Sequence, residues 1–384
     1  MSVTRQYLEL CLRLGRHVDG LVDSYYGPSE IGERVESEPL REPVELVADA
    51  EALRGENDSA YLDAQLLGLE TVARKLAGEE IPYADEVERC YGIRPTRVPE
   101  SEFEDAQRQL DEILPAGGSL AERYQRWREG DPVPAELVPK LLETIAERLR
   151  ERTGELIGLP EGESGELDWV TGEPWWAYNY YLGNLASRVA VNTDVPLNAS
   201  YGVELMAHEL YPGHHTEHAW KESRLFRDEG RLEESALMIG APQSLIAEGI
   251  AGLAVEMVVD DQDAFAAELF GEFGMDYDAD TGRAIRAARR PFERVMGNAA
   301  LLVHEDGASP EEAKAYVQRW GLVSDERARH NVEFITHPVW RSYVTTYADG
   351  YYLCRDWVDG DRGRFKRLLT EQLTPADLSQ PAAG

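Results

Sequence analysis

Apolar residues recur at three- and four-residue spacing over 3–23, 43–54, 60–78, 101–113, 118–128 and 135–153, and again over 280–305 and 310–320. That period lines one face of an α-helix, so these segments are predicted to be helical. The 310–320 helix carries its own start signal in Ser309-Pro310-Glu311-Glu312, an N-cap followed by proline and acids. Residues 244–259, SLIAEGIAGLAVEMVV, predict a strongly apolar helix interrupted by Glu248 and Glu256. Alternation of strand period is scarce, and VAVNTDVPL (189–197) is the one fair candidate. The predicted fold class is therefore mostly α, many helices with little or no sheet.

Turn-forming residues punctuate this pattern at Tyr26-Gly27-Pro28, Pro115-Ala116-Gly117-Gly118, Gly158–Pro174 and Gly240-Ala241-Pro242. The Gly158–Gly165 stretch separates an N-terminal helical region, 1–157, from a region at 166–384 that holds nearly all the chemistry. The two are read as one integrated helical domain.

Composition narrows the class. With 384 residues and 43% apolar content the chain can bury a large core. No apolar run reaches the ~18 residues that span a bilayer, and the first twenty residues mix charges through their apolar positions. A cytoplasmic, soluble protein without membrane attachment is expected. The net charge is −33, and only five of the 39 basic residues are lysine. A dense acidic surface with arginine favoured over lysine is the pattern of halophilic proteins, and it opposes binding to nucleic acid or anionic membrane. Such carboxylates repel over a Debye length of ~10 Å or more in dilute buffer but only ~3 Å in molar salt. Cys11, Cys90 and Cys354 are widely separated and form no CxxC pair, which argues against a disulfide framework or a cysteine metal site.

The chemistry concentrates in AHELYPGHHTEHAW, residues 207–220, where four of the eight histidines fall within eleven residues. A helix bearing His-Glu-x-x-His presents two imidazoles one turn apart to a zinc ion. Here the position of the second histidine is Pro212, and His214 and His215 follow. On an unbroken helix, residue i+6 points ~120° away, and residue i+7 lies ~10 Å along the axis, so neither pair with His208 can share an ion. Pro212 cannot donate to the His208 carbonyl and collides with it, and Gly213 tolerates unusual dihedrals, so the helix must deform. A two-residue bulge after Tyr211 would return His214 toward His208. Glu209, directly after the first histidine, sits where a metallopeptidase places the general base that takes a proton from the attacking water.

A third ligand is needed, and Glu248 is the preferred one, because an ionised carboxylate inside an apolar helix is unfavourable unless paired or metal-bound. Glu256, two turns on, is expected to be a supporting or salt-bridged residue. Glu204, one turn before His208, is a candidate to orient its ring. The aromatic cluster Trp175, Trp176, Tyr178, Tyr180 and Tyr181, followed by Asn184 and Asn192-Thr193-Asp194, reads either as core or as the lining of a substrate cleft. No GxSxG elbow, P-loop or GxGxxG occurs.

The runs HELYPGHH, AEGIAGLAVE, LLVHEDGASPEEAKAYVQRWG and TTYADGYYL resemble the family called domain of unknown function 885, densely over roughly 165–360 and more loosely over 91–106. That family is regarded as helical zinc peptidases with the signature His-Glu-x-x-Pro-Gly-His. The resemblance implies a gluzincin-like architecture, a Zn²⁺ cofactor held by His208, His214 and Glu248, Glu209 as catalytic base, and a peptide substrate. Ile250 stands where the family has an aromatic residue, and Glu256 lies one position later than the family's second glutamate. The family's Tyr-x-x-Gly motif falls on Tyr347-Ala348-Asp349-Gly350, which singles out Tyr347 as a catalytic oxyanion donor. The neighbouring residues allow a second reading, in which Tyr343, Tyr347, Tyr351 and Tyr352 pack against the aromatic cluster at 175–181. Two rivals to the peptidase remain: a non-catalytic metal-binding helical protein, and a zinc hydrolase of a non-peptide amide.

Overall fold

Helices make up most of the chain in the computed structural model, which describes residues 2–130, 133–173, 175–195, 197 and 199–379. Met1, Asp131, Pro132, Pro174, Pro196, Asn198 and 380–384 lie outside that description, and with them one position of the predicted 189–197 strand and the end of the 166–384 region. Helices Pro43–Glu56, Ala60–Leu76, Glu100–Ile113, Leu120–Glu129, Val138–Leu156 and Pro310–Gly321 lie within a few residues of the periodic segments. Ser309 caps the last of these reciprocally with Glu312, as its sequence implies.

Two predicted helices are shorter than their periodicity. The 3–23 segment is helical only over Val3–Gly15, then turns through Gly20 at φ 76° into strand β1, Val22–Tyr25. This strand pairs antiparallel with β5, Ala236–Met238, a partner more than two hundred residues away that leaves no local signal. The 280–305 segment divides into Ala279–Arg289 and Val295–His304 around a tight 3₁₀ turn, Arg290–Arg294, which contains Pro291. Proline has no N–H for the helical ladder, so the axis breaks there.

Sheet is present in two small pieces among the described residues. Besides β1 and β5, strands β2 (Ser164–Val170), β3 (Ala177–Gly183) and β4 (Ala186–Asn192) form a three-stranded sheet in the order β2-β4-β3. β2 runs parallel to β4, and β3 antiparallel to it. The predicted 189–197 strand therefore starts three residues earlier and ends at Asn192, and the expected break at 158–174 contains β2. Asn184 and Leu185 turn the β3–β4 hairpin with positive φ, and their backbone N–H groups donate to the buried carboxylate of Glu222 at 3.1 and 3.2 Å. Asn192 is also structural, donating to the carbonyls of Glu173 and Trp175.

Four helices position the site: α1 (Ala199–Glu209), α2 (His214–Trp220), α3 (Pro242–Val258) and α4 (Val344–Val358). α3 is buried on nearly every face, and Leu245, Ile246, Ile250 and Ala254 are each at most 2% exposed. α4 crosses it where Gly249 meets Gly350: an added Cβ on Gly350 would strike the Leu245 carbonyl, and one on Gly249 would strike the Gly350 carbonyl. This backbone-to-backbone approach brings the start of α4 against Glu248. One apolar cluster joins Leu141, Leu142 and Leu149 to Val191, Ile250 and Phe365, and another joins Tyr83 and Phe103 to Leu245 and Trp320, so segments from both sides of 158–165 share their cores. No single described helix is long and apolar enough to cross a membrane. The arginine preference has a structural use: Glu70, 4% exposed, is held by Arg54, Arg74 and Arg89 together, which suits a fork of planar donors better than a point charge.

Candidate metal centre

α1 ends at Glu209 and α2 begins at His214, with Leu210–Gly213 as a break between them. The deformation is thus a stop and restart of the helix, in place of the two-residue bulge that the spacing suggested. Its ladder widens: the Tyr211 N–H donates to Met206, Gly213 to Ala207 and Thr216 to Leu210, five and six residues back. Pro212 contributes no N–H, and its peptide bond with Tyr211 is cis. Gly213 is required by space, because a Cβ there would overlap the carbonyls of Ala207 and His208.

The break brings His208 and His214 together, with ring centroids 4.7 Å apart and planes nearly perpendicular. Glu248, from α3, faces both rings: its Oε2 lies 3.7 Å from His208 Nε2 and its Oε1 lies 3.9 Å from His214 Nε2. One ligand atom from each of the three falls within 4.8 Å of the others. Donors bound tetrahedrally to zinc at ~2.0–2.1 Å are ~3.3 Å apart, so small side-chain rotations would close this set around an ion. Glu248 Oε2 is buried and has no hydrogen-bond partner, whereas Oε1 accepts from the Tyr343 hydroxyl at 2.6 Å. An unpartnered buried carboxylate oxygen between two imidazoles is a strong fit to a cation.

The electrostatics agree with that fit. Burial pushes His208 down to about 4, against the opposing pull of a hydrogen bond to the Ala251 backbone carbonyl, and burial with the neighbouring His208 and His218 rings holds His214 well below its usual range. Both are neutral imidazoles, the form that ligates metals. Glu248 is pushed up to about 7 by burial, with Asp23 and Glu217 adding to the rise and Tyr343 opposing it. Glu209 rises to about 8 through burial and the charges of Glu248 and Asp23. Among the described residues no lysine or arginine relieves these carboxylates, and a divalent cation would.

The other expectations divide. His215 turns the opposite way from His214, into the protein: it is 0% exposed, with Nδ1 2.9 Å from Ser187 Oγ and Nε2 2.8 Å from Glu163 Oε2. Tyr211 donates to the same Glu163 oxygen and Arg150 pairs with the other, which holds Glu163 below its usual range although burial alone would raise it. Serine, histidine and glutamate stand in the order of a nucleophilic triad, but Ser187 is 2% exposed, so no substrate reaches it; the group clamps α2 to β4 and to the residue just before β2. Glu204 does not orient His208; it pairs with Arg289 at 3.2 Å, and the Ala251 carbonyl takes the orienting place. Glu256 is a salt-bridged residue, 2.8 Å from Arg290, and accepts from Tyr351.

Tyr347 stands one turn into α4, 47% exposed, with its ring edge-on to Tyr343 at 5.4 Å. Burial of its hydroxyl end and the charges of Glu248 and Glu209 raise its phenol, so it remains an O–H donor. Among the described side chains the aromatic partners of the four tyrosines at 343–352 are one another and not residues 175–181, and Arg290 and Arg294 stack on the rings of Tyr351 and Tyr352. Asp23 carried no signal in the pattern, and Tyr343 stood there only as one of four tyrosines. Tyr343 steadies Glu248, and Asp23 enters from β1, where the pairing register slips between Val22 and Ser24, to accept from the Tyr178 hydroxyl. On β3, Asn179 donates to the Glu209 backbone carbonyl at 2.6 Å.

No family model matches this chain, and no curated protein does. Its fold is similar to that of a candidate lipoprotein from Colwellia psychrerythraea, at 15% identity and a TM-score of 0.54 over 91% of this chain. This chain spans 64% of that protein's length, and at this identity the likeness is one of fold alone. The crystal structure of BsuCP aligns over 98% of this chain and 88% of its own at 11% identity, with a TM-score of 0.36 that carries no argument.

Proposed function

We propose that this chain is a zinc-dependent hydrolase acting on peptides, with the ion held by His208, His214 and Glu248. The observation that carries this reading is the convergence of two neutral imidazoles on a buried carboxylate oxygen that has no other partner. The likeness of its HELYPGHH run to the domain of unknown function 885 family supports the same chemistry. A zinc ion in such a place supplies Lewis acidity, which polarises a carbonyl and makes water nucleophilic at neutral pH.

The chain's own residues would do the rest. Glu209 takes the proton of the attacking water and passes it to the leaving amine, a task suited to a carboxyl whose burial lifts it toward neutral pH. The Tyr343 hydroxyl keeps Glu248 oriented, and the Ala251 carbonyl keeps His208 oriented. Tyr347 donates to the oxygen that gains negative charge as the carbonyl is attacked.

Elemental analysis of purified, folded protein should find one zinc per chain, and a peptide mixture should be cleaved only while the metal is present. Absence of any stoichiometric transition metal would end this reading, and metal without cleavage would leave a binding protein. Tyr347→Phe removes only a hydroxyl from a half-exposed ring. It should lower kcat by about 10²–10³-fold while zinc content and thermal midpoint stay unchanged. A wild-type rate in that variant would make Tyr347 a packing residue.

A further inference from the structure

Arg289 and Arg290 are consecutive residues, where the helix Ala279–Arg289 passes into the 3₁₀ turn, and each pairs with a carboxylate on a helix of the metal cluster. Arg289 Nη2 lies 3.4 and 3.2 Å from the two carboxylate oxygens of Glu204, one turn before His208 on α1. Arg290 Nη2 lies 2.8 Å from Glu256 Oε1, two turns after Glu248 on α3. Two neighbouring side chains reach both glutamates, which places Glu204 and Glu256 at the same end of the cluster. α4 follows the same line. Tyr343 donates to Glu248 and Tyr351 to Glu256, each across 95 positions, so Tyr347 stands midway between the metal cluster and Arg290, whose guanidinium lies 3.9 Å over the Tyr351 ring.

The face of α1 that carries His208 also carries Glu204 and Tyr201, four and seven residues earlier. Arg289 lies over the Tyr201 ring at 5.4 Å, and Trp176, just before β3, meets the same ring at 5.5 Å. Helical rise puts Glu204 about 6 Å and Tyr201 about 10 Å along the axis from His208. Arg289 is therefore fixed on the metal's side of α1, at a distance that two or three extended residues span. Its contacts with Glu204 are all made by Nη2, and its buried Nε has no hydrogen-bond partner. A guanidinium held at one nitrogen still presents its other donors in a fixed plane. His208, Glu204, Arg290 and Tyr347 all reach solvent along this strip.

We propose that Arg289, with Arg290 beside it, binds the free α-carboxylate of the substrate, so that the site releases di- or tripeptides from the carboxyl-terminal end of peptides. This rests on the hydrolase reading above and adds the substrate class and the cleavage position to it. A planar guanidinium matches a carboxylate through hydrogen bonds strengthened by charge on both sides, and Glu204 and Glu256 hold the two arginines in place for it. A substrate ammonium would meet like charge from both arginines. With the carboxylate at Arg289, the carbonyl two or three residues back reaches the metal cluster on the side of Tyr347.

The test compares N-acetyl penta-alanine with its carboxyl-terminal amide on zinc-loaded protein. Wild type should favour the free acid by about 10- to 100-fold in kcat/KM, the range of a charge-assisted hydrogen bond, and release di- or trialanine from it. Arg289→Gln should erase that preference through a raised KM for the acid, with zinc retained, and Arg289→Lys should restore part of it. Equal cleavage of both peptides by wild type, or an equal loss on both in Arg289→Gln, would overturn the assignment while leaving the hydrolase intact. Arg289 also anchors Glu204, so should the variant fail to fold, the wild-type ratio of acid to amide decides alone. Calorimetric binding to zinc-loaded Glu209→Gln separates the two readings. Acid binding that exceeds amide binding, and that Arg289→Gln brings down to it, supports the carboxylate site even if nothing is hydrolysed. Equal or absent binding of both peptides removes it.

Discussion

Glu209→Gln is expected to lower the turnover of any peptide substrate by about 10²–10⁴-fold, the usual contribution of a general base, while one zinc per chain is retained. The substitution preserves shape, and Glu209 is buried, so the site has no room to admit a replacement base easily. The backbone at this residue is held from outside the side chain, by Asn179 on its carbonyl at 2.6 Å. Stability should not fall. The folded protein holds the Glu209 carboxyl at about 8, well above an unfolded glutamate, so ionisation opposes folding between the unfolded value and about 8. A neutral glutamine removes that penalty, and the thermal midpoint at neutral pH should equal or exceed that of wild type. Stoichiometric zinc with lost turnover identifies Glu209 as the proton carrier. Lost zinc would make it a ligand, and retained turnover would place the base elsewhere.

His214→Ala and His215→Ala are adjacent substitutions that should fail in different ways. The first removes one of three ligands from the cluster around Glu248, and dialysed protein should lose its zinc and its activity with the fold preserved. The second empties a site that is 0% exposed and leaves Ser187 and Glu163 each short of a partner. It should lower stability by about 2–4 kcal/mol in denaturant unfolding, with zinc still bound at moderate temperature. Zinc loss in the His215 variant without destabilisation, alongside a metal-replete His214 variant, would reverse their assignments. The contrast reads the phase of α2, because successive residues on a helix point ~100° apart and only one of the pair can face Glu248.

The metal cluster was legible in the sequence because its unusual features are local. Pro212 and Gly213 announce that the helix cannot continue, His208 and His214 stand on either side of that break, and a carboxylate inside an apolar helix advertises a partner at Glu248. The form of the break was not legible. A two-residue bulge and a helix that stops and restarts both satisfy a proline without an N–H, and the choice depends on how α2 is clamped by Ser187 on β4 and by Glu163 just before β2, partners that no local pattern points to. For the same reason Glu204 was misread: one turn before His208 it could reach either the ring or solvent, and Arg289, 85 residues on, decided it.

Helical period, charge and the proline break are properties of neighbouring residues, so the sequence by itself determined the mostly helical fold, the acidic surface and the two histidines with their adjacent glutamate. Asp23, Tyr343 and the small sheets were decided only by the tertiary structure. A strand of four residues at 22–25 becomes a strand through pairing with 236–238, and its aspartate meets Tyr178 where that pairing slips in register. Tyr343 reaches Glu248 because Gly249 and Gly350 allow two backbones to touch. Local propensity selects which face of each element is apolar, whereas contacts between distant elements are selected by shape and by the pairing of buried polar groups, and neither leaves a period along the chain.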